Sequence, residues 1–123
     1  MRMAITGAHV LLYSPEAEAL RAMLREALGW RHVDAGDGWL IFGLPPAELG
    51  VHPSDGTTHH ELALMCDDVH ATVAELREKG IELRGEPEDK GFGVGLTMVL
   101  PGGVEVLLYE PRHATAVDPD PSI

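Results

Sequence analysis

Basic residues are scarce in this chain: 9 lysines and arginines stand against 20 aspartates and glutamates, a formal charge of −11. Nucleic-acid binding rests on cationic neutralisation of phosphates, and anionic membrane surfaces attract cations for the same reason, so neither partner is expected. A cationic ligand or a metal ion would be attracted, and the same acidity also serves plain solubility. Cysteine is represented by Cys66 alone, which excludes an internal disulfide framework and fits a reducing compartment. No apolar run reaches the roughly 18 residues that a membrane helix needs. No long apolar stretch separates Arg2 from Ser14-Pro15 either, so no secretory signal is expected and the protein is read as cytoplasmic. Aromatic residues make up only 5%, which argues against an aromatic-rich binding groove.

What is present is ordinary for one globular domain of 123 residues, able to bury a core without disulfides or metal. The expected single domain spans 1–113 and is built from two similar halves, 7–52 and 59–113. The acidic, proline-bearing tail 114–123 is expected to be disordered. Residues 8–13 are apolar and partly β-branched, a strand pattern. Ser14-Pro15-Glu16 then reads as a helix start, with Leu20, Met23, Leu24, Ala27 and Leu28 at helical spacing and Gly29 as the stop. Strands are expected over 30–33, 39–42 and 47–52, and a polar linker over 53–58. The second half repeats the plan. A strand over 60–66 precedes a helix capped by Asp67-Asp68 and stopped by Gly80. Strands over 81–84, 94–100 and 104–109 follow, and Leu100-Pro101-Gly102-Gly103 suits a type II turn between the last two. The helix-ending glycine follows the first strand at nearly equal distance in both halves (His9 to Gly29, Glu61 to Gly80), as an internal duplication would require.

Alternate residues of a strand face opposite sides of its sheet. Val10 and Leu12, Leu62, Leu64 and Cys66, and Val104, Val106 and Leu108 form apolar sets that should lie under the helices. Cys66 is then expected to be a buried, inert thiol. The other sets are His9, Leu11 and Tyr13; Glu61, Ala63 and Met65; and Glu105, Leu107 and Tyr109. If these faces curve together they line an apolar pocket with a few polar groups, the usual make-up of a small-molecule site. Gly91-Phe92-Gly93-Val94-Gly95 is not followed by a helix start, so it reads as a loop edging that cleft rather than a phosphate loop. His70 and His113 read as surface residues.

The sequence resembles the vicinal oxygen chelate superfamily, which includes glyoxalases, extradiol dioxygenases, fosfomycin-modifying transferases and bleomycin-resistance proteins. In the first half the resemblance rests on His9-Val10-Leu11-Leu12 and Leu28-Gly29-Trp30. In the second it rests on Glu61-Leu62-Ala63-Leu64-Met65-Cys66-Asp67-Asp68-Val69, on Ala74-Glu75-Leu76-Arg77-Glu78-Lys79-Gly80, and on the closing Leu100-Pro101-Gly102-Gly103 and Tyr109-Glu110-Pro111. It implies an α+β, glyoxalase-like fold: two tandem βαβββ modules forming a curved mixed sheet around a cleft. Family enzymes draw metal ligands from the first strand of each half and from the last strand. Carried over, those positions are His9, Glu61 where histidine is usual, and either Leu107 or, in another register, Glu105 where glutamate is usual. His59 shares a face with Glu61 and could supply a missing ligand.

Two readings follow. In the first, His9, Glu61 and Glu105 hold a divalent ion (Mn, Fe, Ni, Zn or Mg), and a lyase, isomerase or dioxygenase acts on a small oxygenated molecule. In the second no metal is used. Glu61, beside Met65, Leu107, Tyr13 and Tyr109 in the pocket, then serves as a base or as an anchor for a cationic drug, as in bleomycin-resistance proteins. The resemblance also implies a homodimer with a small-molecule ligand.

Overall fold

The computed structural model describes residues 9–116. Helix α1 (Ala17–Glu26) buries Leu20 and Leu24, and its outward face carries charge. It starts three residues after Ser14. The Ser14 hydroxyl accepts from the Glu16 N–H (3.0 Å) and donates to the Pro101 carbonyl (2.7 Å), so this serine ties the chain ahead of α1 to a distant turn. Strands β1 (His32–Asp34) and β2 (Leu40–Phe42) form a separate antiparallel hairpin. Its turn places Asp37 (φ 51°) and Gly38 (φ 83°) in the left-handed region, which aspartate and glycine tolerate.

The second half builds a four-stranded sheet in the order β3-β6-β5-β4 from β3 (Ala63–Met65), β4 (Glu82–Asp89), β5 (Gly93–Leu100) and β6 (Val104–Pro111). β3 runs parallel to β6 and pairs Leu64 with Leu108; β5 runs antiparallel and pairs Leu96 with Leu108 and Met98 with Val106. Helix α2 (Val69–Glu78) connects β3 to β4. Its first turn is capped twice, by Asp68 accepting from Ala71 N–H (3.1 Å) and by Glu110 of β6 accepting from Val69 N–H (3.0 Å).

One core joins these parts. Leu20 and Leu24 of α1 and Val69, Val73 and Leu76 of α2 cover the face formed by Leu96, Met98, Leu100, Val106 and Leu108, with Leu62, Leu64, Cys66 and Val104 packed at its border. Burying each of the fully enclosed leucines, valines and Met98 contributes about 1.5–3 kcal/mol. Lys79, one turn from Glu75, donates to the Ala27 carbonyl (3.1 Å) and clasps the ends of the two helices together. The Leu100–Gly103 bond (3.0 Å) with Gly102 at φ 89° is the expected type II turn. A side chain at Gly102 would run into Ser14 and Pro15.

The first half departs from expectation. Among the described residues, 9–13 and 47–52 enter no strand ladder, although their alternation suits one. Apolar alternation marks a segment that can be a strand, but the ladder needs a neighbour that offers free backbone groups. β4 is longer than expected because its edge position accepts Pro87, and a register shift between Arg84 and Glu88, with Gly85 at φ 71°, absorbs the irregular residues. Gly93 and Gly95 belong to β5 and not to a loop. Position 8 of the first expected strand and residues 117–123 of the expected tail lie outside the described residues.

Candidate functional site

The helices cover one face of the four-stranded sheet and leave the other open. Strand parity and register fix what that open face presents. Met65 lies beside Tyr109, Ala63 beside Leu107, and across β5 Tyr109 faces Gly95, Leu107 faces Thr97 and Glu105 faces Val99. Arg84 of β4 is level with Thr97 and reaches over β5 to Glu105, with Nη1 3.0 Å from Oε1. Met65, Leu107 and Tyr109, three of the four expected pocket residues, therefore share one surface. Tyr13, the fourth, sits on the unpaired segment before α1 and is 76% exposed.

The expected metal ligands do not converge in the same way. His9 is exposed at the first described position. Glu61 precedes β3, its side chain is 81% exposed, and it pairs with His59 Nε2 at 3.3 Å. Glu105 is engaged by Arg84. Leu107, which offers no donor atom, occupies the middle of the face between Ala63 and Thr97. Among the described residues, no three histidine, cysteine or carboxylate side chains are grouped as a metal ion requires. The donor set as placed does not fit a divalent ion.

Tyr109 is the most elaborated residue of the open face. Gly93 and Gly95 make room for it: a Cβ on Gly95 would lie 2.6 Å from Tyr109 Cβ, and one on Gly93 would lie 2.9 Å from the ring. Phe92 meets the ring edge to face, with centroids 5.3 Å apart. The hydroxyl lies 2.9 Å from His113 Nε2, while His113 Nδ1 lies 2.8 Å from the Ala114 carbonyl. A carbonyl only accepts, so Nδ1 carries a proton; when the ring carries no second proton, Nε2 accepts and Tyr109 donates. Burial, and then the negative charge of Glu48, pushes the phenol up from its ordinary value. Glu48 in turn accepts from the Ala116 N–H (2.7 Å), so the chain around residue 48 meets the segment that follows β6.

His113 is exposed, as expected, and is also the partner of Tyr109, which the sequence did not indicate. It lies beyond the end of β6, where strand parity no longer predicts direction. Arg84 ends the strand expected over 81–84, but its reach across β5 depends on a strand order that sequence does not state. Cys66 sits on the helix side, as expected, and burial pushes its thiol up.

A small α+β unit with one helix-covered and one open sheet face defines a cleft-forming, glyoxalase-like protein. The sequence model of the Glyoxalase/Bleomycin resistance protein/Dioxygenase superfamily matches residues 7–115, and the chain belongs to that superfamily. No curated protein matches it. Among solved structures it is similar to TnmS3, an antibiotic binding protein from Streptomyces, with 23% identity, TM-score 0.65 and coverage of 90% of this chain and 100% of that one. It is also similar to lactoylglutathione lyase from Agrobacterium tumefaciens (16% identity, TM-score 0.60, 88% and 96% covered). A member of the same superfamily from Sphaerobacter thermophilus matches at 21% identity with TM-score 0.60 (88% and 99% covered). At these identities the likeness establishes the fold.

Proposed function

We propose that this chain is a small-molecule-binding protein that holds its ligand on the open sheet face, against Met65, Leu107 and Tyr109, without a metal ion. The observation that carries the reading is Leu107. An apolar side chain holds the centre of the face, and the nearest carboxylate on the same strand, Glu105, is neutralised by Arg84. An apolar surface with a few fixed polar groups suits capture of an organic ligand better than Lewis-acid chemistry. That TnmS3 is an antibiotic binding protein supports the same reading.

The cleft is completed by a second copy of the chain. Leu49 and Val51 are 91% and 92% exposed and Leu11 and Tyr13 60% and 76%, all on segments with strand alternation and no ladder. A partner subunit offers those backbone groups a sheet and those side chains an apolar neighbour. The single cysteine, with no disulfide partner, supports a reducing compartment, the cytoplasm.

The test is elemental analysis of protein purified without chelator, together with thermal shifts against added Mn²⁺, Ni²⁺ and Zn²⁺ and against a panel of apolar organic molecules. The expected result is metal well below about one equivalent, no metal-induced shift, and a saturable shift with an organic ligand that Leu107→Asp removes. Stoichiometric metal that His9→Ala abolishes would overturn the reading.

A further inference from the structure

A hollow of about 330 Å³ lies between α1 and the β1–β2 hairpin, open to solvent and sharing no residue with the open sheet face. Its wall on the helix side is the stripe Glu18, Arg21, Ala22 and Arg25, the outward positions opposite the buried Leu20 and Leu24. Residues at this spacing fall on one helix surface about one turn apart. The hairpin supplies Asp34, Gly38 and Leu40.

The guanidinium groups carry the argument. In a chain with only 9 basic residues against 20 acidic ones, two arginines line this one hollow. Among the described residues Arg77, Arg84 and Arg112 each pair with a carboxylate from another strand or helix, and Arg25 pairs with its neighbour Glu26. Arg21 makes no such pair. Its guanidinium lies over the Trp39 ring, 4.8 Å from the centroid. The indole face holds the cation without using up its N–H groups, which can then reach a carboxylate. Glu18 and Asp34 face the same space with the opposite charge, and Asp34 is held by the Gly36 N–H (2.8 Å to Oδ1). A ligand bearing only negative charge would meet both carboxylates, and one bearing only positive charge would meet both arginines.

We propose that this hollow binds a small zwitterion of the α-amino acid class. Its carboxylate pairs with Arg21 and its ammonium group with Asp34 or Glu18, while an apolar side chain rests on Ala22 and Leu40. The volume is at the lower end of the range for small-molecule sites and matches a ligand of that size.

The test is calorimetric titration of the whole chain with L-leucine, in parallel with 4-methylpentanoate, which has only the carboxylate, and isoamylamine, which has only the amine. Saturable binding of L-leucine at about 1 mM or tighter is expected, with both analogues at least about tenfold weaker. Arg21→Gln and Asp34→Asn, each checked for an unchanged denaturation midpoint, should each weaken L-leucine by about tenfold or more. Leu107→Asp, which alters the open sheet face, should leave it unchanged. The proposal is overturned by absence of saturation at about 10 mM L-leucine, by an analogue binding as well as the zwitterion, or by unaltered affinity in both charge variants. Loss in Leu107→Asp would move the binding to the other face, whereas failure of the L-leucine titration alone leaves the open-face reading standing.

Discussion

Arg84 and Glu105 stand on strands that are not neighbours, and their side chains meet across β5 at 3.0 Å. The pair spans the lower half of the open sheet face, with Leu107 and Tyr109 continuing above it on the same strand. It converts what could be a ligand carboxylate into a neutral, structural contact. Both side chains are about half exposed, so the pair contributes little to stability, about 0–1 kcal/mol. Its consequence is chemical: the final strand presents no free carboxylate beside Glu61.

If Leu107 and Arg84 are what withhold a metal site, changing both should supply one. The double variant Leu107→Glu, Arg84→Met places two unpaired carboxylates on the face, next to the strand that follows Glu61. Bound Zn²⁺ or Mn²⁺ after dialysis, read by elemental analysis, is expected to rise at least about tenfold over the parent chain. No gain would show that the backbone of this face is not arranged for a metal, whatever its side chains.

Gly95 is required by contact, since its backbone is not in the left-handed region. A Cβ there would lie 2.5 Å from the Leu108 carbonyl oxygen and 2.6 Å from Tyr109 Cβ, and neither atom belongs to a flexible side-chain end. Gly95→Ala is expected to cost about 1–3 kcal/mol and to lower the urea midpoint accordingly. A change below about 0.5 kcal/mol would mean that the two strands separate easily and that Tyr109 is not fixed as described.

The second half of the fold was legible because its signals are local. Asp68 caps, Gly80 ends, Pro101-Gly102 turns, and Leu62, Leu64, Val106 and Leu108 alternate, each within a few residues of the structure it specifies. The first half was legible only as far as its helix and hairpin. Segments 9–13 and 47–52 carry the same alternation, yet alternation names a face and not a partner, and among the described residues neither segment joins a strand. The candidate site divides along the same line. Met65, Leu107 and Tyr109 follow from parity on β3 and β6. His113, Phe92, Glu48 and Arg84 reach Tyr109 or Glu105 from the strand ends, a distant loop and a non-adjacent strand, which no spacing rule within one segment describes.

Helix α2 depends on two caps of different origin. Asp68 is local, and Glu110 comes from the last strand, so the helix start is pinned to the sheet. Asp68→Ala is expected to cost about 1 kcal/mol. Glu110→Ala should cost a similar amount by leaving the Val69 N–H without its acceptor, since Val69 is buried. Urea denaturation of the two single variants and the double checks this. A double variant no less stable than the less stable of the two single ones would show that only one cap operates.

Tyr109 makes stability fall at alkaline pH. Its phenol is pushed up from 10.0, first by burial and then by Glu48, so the folded chain holds the proton more tightly than the unfolded chain does. A group raised in this way contributes stability that is complete below its unfolded value, near pH 10, and is lost as pH climbs through the folded value. Cys66, raised from 9.0 mainly by burial, adds a slope of the same sign beginning nearer pH 9. Urea midpoints measured from pH 8 to 11 are therefore expected to decline in the parent chain. The decline should be shallower above pH 10 in Tyr109→Phe, and shallower between pH 9 and 10 in Cys66→Ala. Tyr109→Phe also loses the bond to His113, at a cost of about 0.5–1.5 kcal/mol near neutral pH. An alkaline decline that Tyr109→Phe leaves unchanged would place the titrating group elsewhere, and the phenol could not then be the enclosed, histidine-bound group that closes one end of the open face.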